Sequence, residues 1–226
     1  TGGAADQSLS GAQGLGVTEA MRLGVFGGAF DPPHVAHVAL ARTALAQLQL
    51  DRLLILPTGQ AWHKPQSLSQ AQHRSAMCAL AFLPLGDRVV IDERETRRTG
   101  PSYTIDTLLE LRAEHPQAQL YLLMGDDQWR SLPSWHRIEE LARLAIICPA
   151  RRDPQVAAWG GASSSPGSDG QGVYAQLQVH PLSMPLMPQS GTDIRQRVPD
   201  SQSLDGAVSP TVAQYIEQHH LYRSDT

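Results

Sequence analysis

Five short apolar runs, Arg22 to Phe26, Arg52 to Leu56, Val89 to Ile91, Leu120 to Met124 and Ala145 to Cys148, alternate along this chain with longer segments of helical spacing. Each run is too short for a helix and is bounded by Gly, Pro or charge, which reads as a buried strand. The segments between them predict helices over Val35 to Leu48, Ser69 to Phe82, Tyr103 to Glu114 and Ser134 to Ala142. In the first of these, Val35, Val38, Leu45 and Leu48 recur on one face. Ser209-Pro210 pairs a capping residue with a proline suited to the first helical position, and opens a last helix through Gln218. Strands and helices in this order predict an α/β fold, a doubly wound parallel sheet with helices on both faces. In such a sheet ligands bind beyond the carboxyl ends of the strands, at the topological switch point.

The place to look for function is the string Gly27-Gly28-Ala29-Phe30-Asp31-Pro32-Pro33-His34-Val35-Ala36-His37, which joins the first strand to the first helix. Glycines let the backbone approach a ligand closely, and a helix N-terminus offers N–H groups and a positive dipole end, so the turn suits phosphate. His34 and His37 are three residues apart and share a face of the opening turn. Two histidines taken alone are more often ordinary, partly exposed residues; the whole string is what points to phosphate. A dinucleotide-binding turn would carry Gly-x-Gly-x-x-Gly, and Gly24-Val25-Phe26-Gly27-Gly28-Ala29 does not supply it, which disfavours a dehydrogenase.

Composition narrows the setting of that turn. The chain has 226 residues, 41% hydrophobic and 18% charged, enough for one substantial core, and we expect a single domain over 21–226. Its net charge of -4 gives no bulk attraction to nucleic acid or anionic membrane, so neither is expected as a partner, and phosphate must be met by a local cationic cluster. Cys78 and Cys148 lie far apart without a Cys-x-x-Cys partner, which favours reduced core thiols over a disulfide or zinc site. No apolar run approaches the roughly 18 residues needed to cross a membrane, and no signal-peptide order opens the chain, so the cytoplasm is the expected location. Residues 1–20, rich in Gly, Ala, Ser and Gln, have little to bury and are expected to be a disordered extension. The Gly- and Ser-rich stretch near 160–172 is expected to be a flexible surface loop.

The eleven-residue string resembles the Gly-Gly-x-Phe-Asp-Pro-x-His-x-Gly-His signature of the nucleotidyltransferase superfamily. Ala36 stands where that family usually has Gly; the added methyl keeps the helical turn and narrows the room for a phosphate. Ser190-Gly191-Thr192-Asp193-Ile194-Arg195 is similar to the superfamily's second signature, in which Thr192 could cap a short helix and Arg195 presents a planar, permanently charged fork. Three further stretches resemble the nicotinate mononucleotide adenylyltransferases: Leu56 to Lys64, ending in His63-Lys64; Arg98 to Leu108, with Ser102-Tyr103-Thr104; and Met124 to Trp135, with Gly125, Asp127 and Trp135. The resemblance spans about 21–222 and matches poorly around 155–175. It implies a Rossmann-like nucleotidyltransferase fold and transfer of AMP from ATP to nicotinate mononucleotide, giving nicotinate adenine dinucleotide and pyrophosphate.

The resemblance also implies roles. His34, His37, Arg195 and Lys64 form the catalytic set, with His37 on the α-phosphoryl, His34 on the adjacent phosphates, and Arg195 and Lys64 on the β and γ phosphates. Gly27, Gly28, Phe30, Gly125, Asp127, Ser190, Thr192 and Ile194 make the ATP side, with Asp127 accepting from ribose hydroxyls. Tyr103, Thr104 and Trp135 frame the pyridine ring, and His63 and Arg98 stand on the mononucleotide side. Ser102 is expected to cap the helix that begins near Tyr103 as well. Mg²⁺ is expected to come with ATP on phosphate oxygens and water, without a metal cage of protein ligands. A pantetheine-phosphate adenylyltransferase shares both terminal signatures, and a noncatalytic nucleotide-binding regulator could keep the fold. The former is not expected to carry Ser102-Tyr103-Thr104 and Asp127 to Trp135 at these spacings, and intact His34, His37 and Arg195 weigh against the latter. The sequence leaves a homo-oligomer open.

Overall fold

The computed structural model describes residues 19–59, 68–151, 171–185 and 187–223. The first run forms β1 (Arg22–Gly28), and the chain then alternates through α1 (Val35–Gln47), β2 (Arg52–Pro57), α2 (Ala71–Phe82) and β3 (Val89–Ile91). It continues with α3 (Arg94–Arg97), α4 (Thr104–Glu114), β4 (Gln119–Met124), α5 (Asp126–Ser131), α6 (Ile138–Leu144) and β5 (Ala145–Arg151). Beyond a segment outside the described residues follow α7 (Gln171–Tyr174), β6 (Leu182–Ser183), α8 (Gly191–Arg197) and α9 (Pro210–Gln218). The six strands lie in the order β3-β2-β1-β4-β5-β6, and every pairing is parallel. The direction of winding reverses between β1 and β4, so the switch point is flanked by Gly27-Gly28 at the end of one strand and by Met124 and the following Gly125 at the end of its neighbour.

Alternation along the strands divides the interior into two cores. Phe26, Leu53, Ile55, Tyr121, Leu123 and Cys148 meet Leu40, Ala44, Met77, Phe82, Val212 and Ile216, which places α1, α2 and α9 on one face. Leu23, Val25, Leu54, Leu56, Leu120, Leu122 and Ile147 meet Ile105, Leu108, Leu111, Trp129 and Leu141, which places α4, α5 and α6 on the other. The Leu, Ile, Val, Phe and Met side chains buried this fully contribute about 1.5–3 kcal/mol each. Central strands apolar on both faces are what a doubly covered parallel sheet requires. Among the described residues, no helix is long and apolar enough to cross a membrane.

Several boundaries differ from the sequence expectation for local reasons. The helix expected from Ser134 starts at Ile138, because Leu132–Ser134 tighten into a 3₁₀ turn around Pro133 and Arg137 adopts the left-handed conformation at φ 53°. Tyr103, not Ser102, is the residue that precedes α4; the Ser102 hydroxyl donates instead to the Glu95 carbonyl. Ser190, not Thr192, caps α8, its hydroxyl accepting from the Asp193 N–H at 3.1 Å. α5 was not anticipated: six residues are too few for a periodic pattern to register. The stretch expected to be a loop near 160–172 falls outside the described residues up to 170, and α7 begins at Gln171.

Candidate active site

The turn after β1 is buried and cross-braced. Phe30 takes a left-handed backbone (φ 46°) and turns its ring inward, edge-on to Phe26, Phe82 and His37 at 5.3, 5.9 and 4.9 Å between centroids. That ring lies under Gly28, where a Cβ would come within 3.1–3.3 Å of it, so glycine lets the turn close over its own anchor. The bond from Asp31 to Pro32 is cis. The chain then enters α1 with His34 as N-cap in extended geometry and no acidic residue in the first turn, so the positive helix end is not offset locally.

His34 and His37 are stacked, 3.7 Å between centroids and 26° between planes. The His34 backbone N–H donates to His37 Nδ1 at 3.1 Å, which makes Nδ1 an acceptor and places the proton of a neutral His37 on Nε2. His34 is 7% exposed, and its Nδ1 is buried without a hydrogen-bond partner. Burial lowers its pKa to about 4, so the ring is neutral at pH 7. An orphaned polar atom of this kind costs about 1–3 kcal/mol, and at a helix N-terminus it is a candidate contact for a ligand.

The second signature reaches the same turn. Arg195 Nη1 donates to the Asp31 carbonyl at 2.6 Å and Nη2 to Thr192 Oγ1 at 3.3 Å. A Cβ at Gly191 would stand 3.1 Å from that carbonyl and 3.2 Å from Nη1, so the close approach of α8 depends on the glycine. Ser190 caps α8 from its exposed side. The Ile194 and Phe30 side chains are 0% and 1% exposed and belong to the core, so only their backbone can face a nucleotide.

Across the switch point Gly125 precedes α5, its N–H donating to Gln128 Oε1 at 3.2 Å, and Asp127 is exposed in the first turn. Trp135 is half-buried, with Nε1 3.4 Å from Ser131 Oγ, and with Arg137, Ile138, Glu139, Glu140 and Arg143 it lines an open cavity of about 450 Å³. The next residue, His136, lays its ring against Tyr103 at 4.4 Å, which brings Tyr103 and the start of α4 to the Trp135 segment. Thr104 opens α4.

Arg98 is turned into a bracing network. Its Nη1 donates to Thr107 Oγ1 at 2.9 Å, its Nη2 lies 2.8 Å from Glu110, and Thr107 donates to the buried Glu95 at 2.7 Å. Burial raises the Glu95 pKa despite those partners. His63 and Lys64 lie outside the described residues.

Sequence reasoning gave no role to Asp31, Arg74 or Tyr222. Asp31 was visible inside the signature, whereas Arg74 and Tyr222 sit in segments that carry no local motif. Asp31 is 5% exposed; its Oδ2 accepts from the Ser69 N–H at 3.0 Å and its Oδ1 from the Tyr222 hydroxyl at 2.6 Å. The buried Arg74 donates to the carbonyls of Ala29 and Ser69, both at 2.9 Å. Imidazoles and a helix end, with the Asp31 carboxylate already committed, suit phosphoryl oxygens better than a resident cation. Among the described residues no three His, Cys, Asp or Glu side chains gather to hold a metal ion.

Residues 25–197 match the family model described as cytidylyltransferase-like. A protein of Albidiferax ferrireducens named "probable nicotinate-nucleotide adenylyltransferase" is 49% identical over 209 residues, 90% of this chain and 98% of that protein. A protein of the same name from Methylibium petroleiphilum is 41% identical over 206 residues, 89% of this chain and 92% of that one. Among solved structures, the Plasmodium falciparum nicotinic acid mononucleotide adenylyltransferase complexed with NaAD superposes with a TM-score of 0.69 at 16% identity, covering 89% of this chain and 97% of that one. At that identity the likeness speaks to the fold.

Proposed function

The chain belongs to the cytidylyltransferase-like family, among its nicotinate-nucleotide adenylyltransferases, and from that membership we propose how its site works. The enzyme transfers AMP from ATP to nicotinate mononucleotide, forming nicotinate adenine dinucleotide and pyrophosphate, a step of NAD synthesis. A phosphate oxygen of the mononucleotide attacks the α-phosphorus of ATP in line. The new P–O bond forms as the bond from the α-phosphorus to the bridging oxygen breaks, and that electron pair leaves with pyrophosphate. The attacking phosphate is already anionic at neutral pH, so no general base is needed. The barrier is repulsion among anions, and the protein lowers it by positioning them and by placing donors where charge builds.

The observation that carries this reading is the stacked pair His34 and His37 at the N-terminus of α1, with His34 Nδ1 buried and unsatisfied. His37, with its proton on Nε2, donates to the α-phosphoryl; neutral His34 contacts the adjacent phosphates. Arg195 holds the β and γ phosphates from its seat on the Asp31 carbonyl, and Lys64 assists. Gly27, Gly28 and Gly125 allow the nucleotide close to the strand ends, and Asp127 accepts from ribose hydroxyls. Tyr103, Thr104 and Trp135 frame the pyridine ring. Mg²⁺ comes bound to ATP, where it offsets phosphate charge. This reading takes residues 21–226 as one catalytic domain acting in the cytoplasm on these two small-molecule substrates.

Pyrophosphate release, measured with ATP and in turn nicotinate mononucleotide, nicotinamide mononucleotide and phosphopantetheine, tests it. Fastest release with nicotinate mononucleotide supports the reading. Preference for phosphopantetheine would reassign the acceptor, and no release with any of the three would make the chain a nucleotide-binding protein.

A further inference from the structure

Asp31 lies in the middle of the phosphate-binding turn, yet the reaction gives its side chain no substrate to touch. Both of its carboxylate oxygens are used inside the protein: Ser69 N–H holds Oδ2, and the Tyr222 hydroxyl holds Oδ1 at 2.6 Å across 191 positions of sequence. Its carbonyl is the seat of Arg195. One residue thus joins the C-terminal segment to the guanidinium that meets the triphosphate.

The C-terminal segment is bent to make this contact. After α9 the chain reverses through His220 and Tyr222, both left-handed at φ 52° and 62°, a conformation that residues other than glycine rarely take, and the Leu221 N–H returns to the Ile216 carbonyl at 3.0 Å. Retaining an unfavourable backbone at two near-adjacent residues implies that the place reached by the Tyr222 ring matters. Half-buried beside the Asp31 charge, the phenol is pushed well above its usual pKa and stays a donor. A hydrogen bond from a neutral hydroxyl to a carboxylate is among the stronger kinds, and here it fixes the side chain of the residue whose carbonyl Arg195 grips.

We infer that Tyr222 is a positioning residue for nucleotidyl transfer, acting through Asp31 to set Arg195 against the ATP phosphates. The inference rests on Arg195 being a phosphate ligand, as proposed above. A tie that merely held the C-terminus down would affect stability without selecting one substrate; a tie through Arg195 affects ATP and spares the mononucleotide.

Tyr222→Phe keeps the ring and removes only the hydroxyl, so the fold persists and a thermal melt checks it. The expected result is a loss of about tenfold in ATP affinity by calorimetry and at least as much in kcat/KM for ATP, with the KM for nicotinate mononucleotide unchanged. In an Arg195→Ala background the same substitution should change ATP affinity by less than about twofold, because the residue it acts through is gone. Unchanged ATP affinity in Tyr222→Phe, or an equal loss in both backgrounds, overturns the inference. Wild-type protein that binds ATP but releases pyrophosphate with no acceptor would overturn the proposed reaction instead, and the calorimetric comparison would still decide the role of Tyr222.

Discussion

At the proposed phosphate end of the crevice Asp31 and His34 are 5% and 7% exposed and are held by partners from α1, the residues just before α2, α8 and the segment after α9, whereas at the proposed ring end His136 is exposed and Trp135 is half-buried. The first end is braced by the protein's own contacts: its imidazoles are stacked, its arginine seated and its carboxylate satisfied. The second is carried on α5, a 3₁₀ turn and the start of α6, with a half-exposed arginine, Arg137, bridging to Glu140. The contrast fits the roles proposed for the two ends. Charge developing on phosphoryl oxygens is stabilised by donors that do not have to reorganise, while an aromatic ring is gripped by stacking that tolerates adjustment. Substitutions at the phosphate end should therefore reduce turnover or stability steeply, and those at the ring end should change acceptor binding modestly.

The largest expected effect is His37→Ala, which should lower kcat by on the order of 10²–10³-fold with the fold intact, as for loss of one preorganised donor. Near-normal turnover would break the comparison at its centre. Next is the acid sensitivity of the buried His34. Its folded pKa of about 4 lies below the ordinary 6.5, so as pH falls the unfolded chain takes up the proton first. Its contribution is therefore complete above about pH 6.5 and is lost progressively toward pH 4, up to about 3 kcal/mol in all. Urea unfolding of wild type and His34→Gln between pH 7.5 and 4 should show a steeper decline in the wild type. Parallel curves would mean that the ring is not held neutral.

A smaller effect is expected at the other end. Trp135→Ala should raise the KM for nicotinate mononucleotide about tenfold, in line with 1–1.5 kcal/mol for an aromatic contact, and leave that for ATP nearly unchanged. Equal changes for both substrates would erase the division between the two ends. Smallest of all is Ala36→Gly in the first turn of α1. It should cost up to about 1 kcal/mol of stability, read from the denaturant midpoint, while kcat stays within a factor of about three. A large loss of activity would show that the methyl group shapes the phosphate site.

Much of this architecture was legible in the chain. β1 to β5 and α1, α2, α4 and α9 lie where short apolar runs, helical spacing and a Ser-Pro start predict them, because burial on both faces of a parallel sheet leaves an unbroken apolar run in its central strands. The failures are local and have causes. Pro133 and the left-handed Arg137 delay α6, and Ser102 and Thr192 direct their hydroxyls to partners other than the helix ends they were expected to cap. The two signatures were legible as strings, but not the fact that they meet at the Asp31 carbonyl.

By itself the sequence determined the alternation of elements, the position of the histidine pair at a strand end and the presence of two signature strings, since each depends on residues within a few positions of one another. Only the tertiary structure decided that His34 is buried with an unsatisfied nitrogen, that Arg98 braces Glu95 and Thr107, and that Tyr222 reaches Asp31. Those outcomes depend on contacts between separate elements of the fold, and hydrogen bonds of that kind leave no periodicity for a sequence to display.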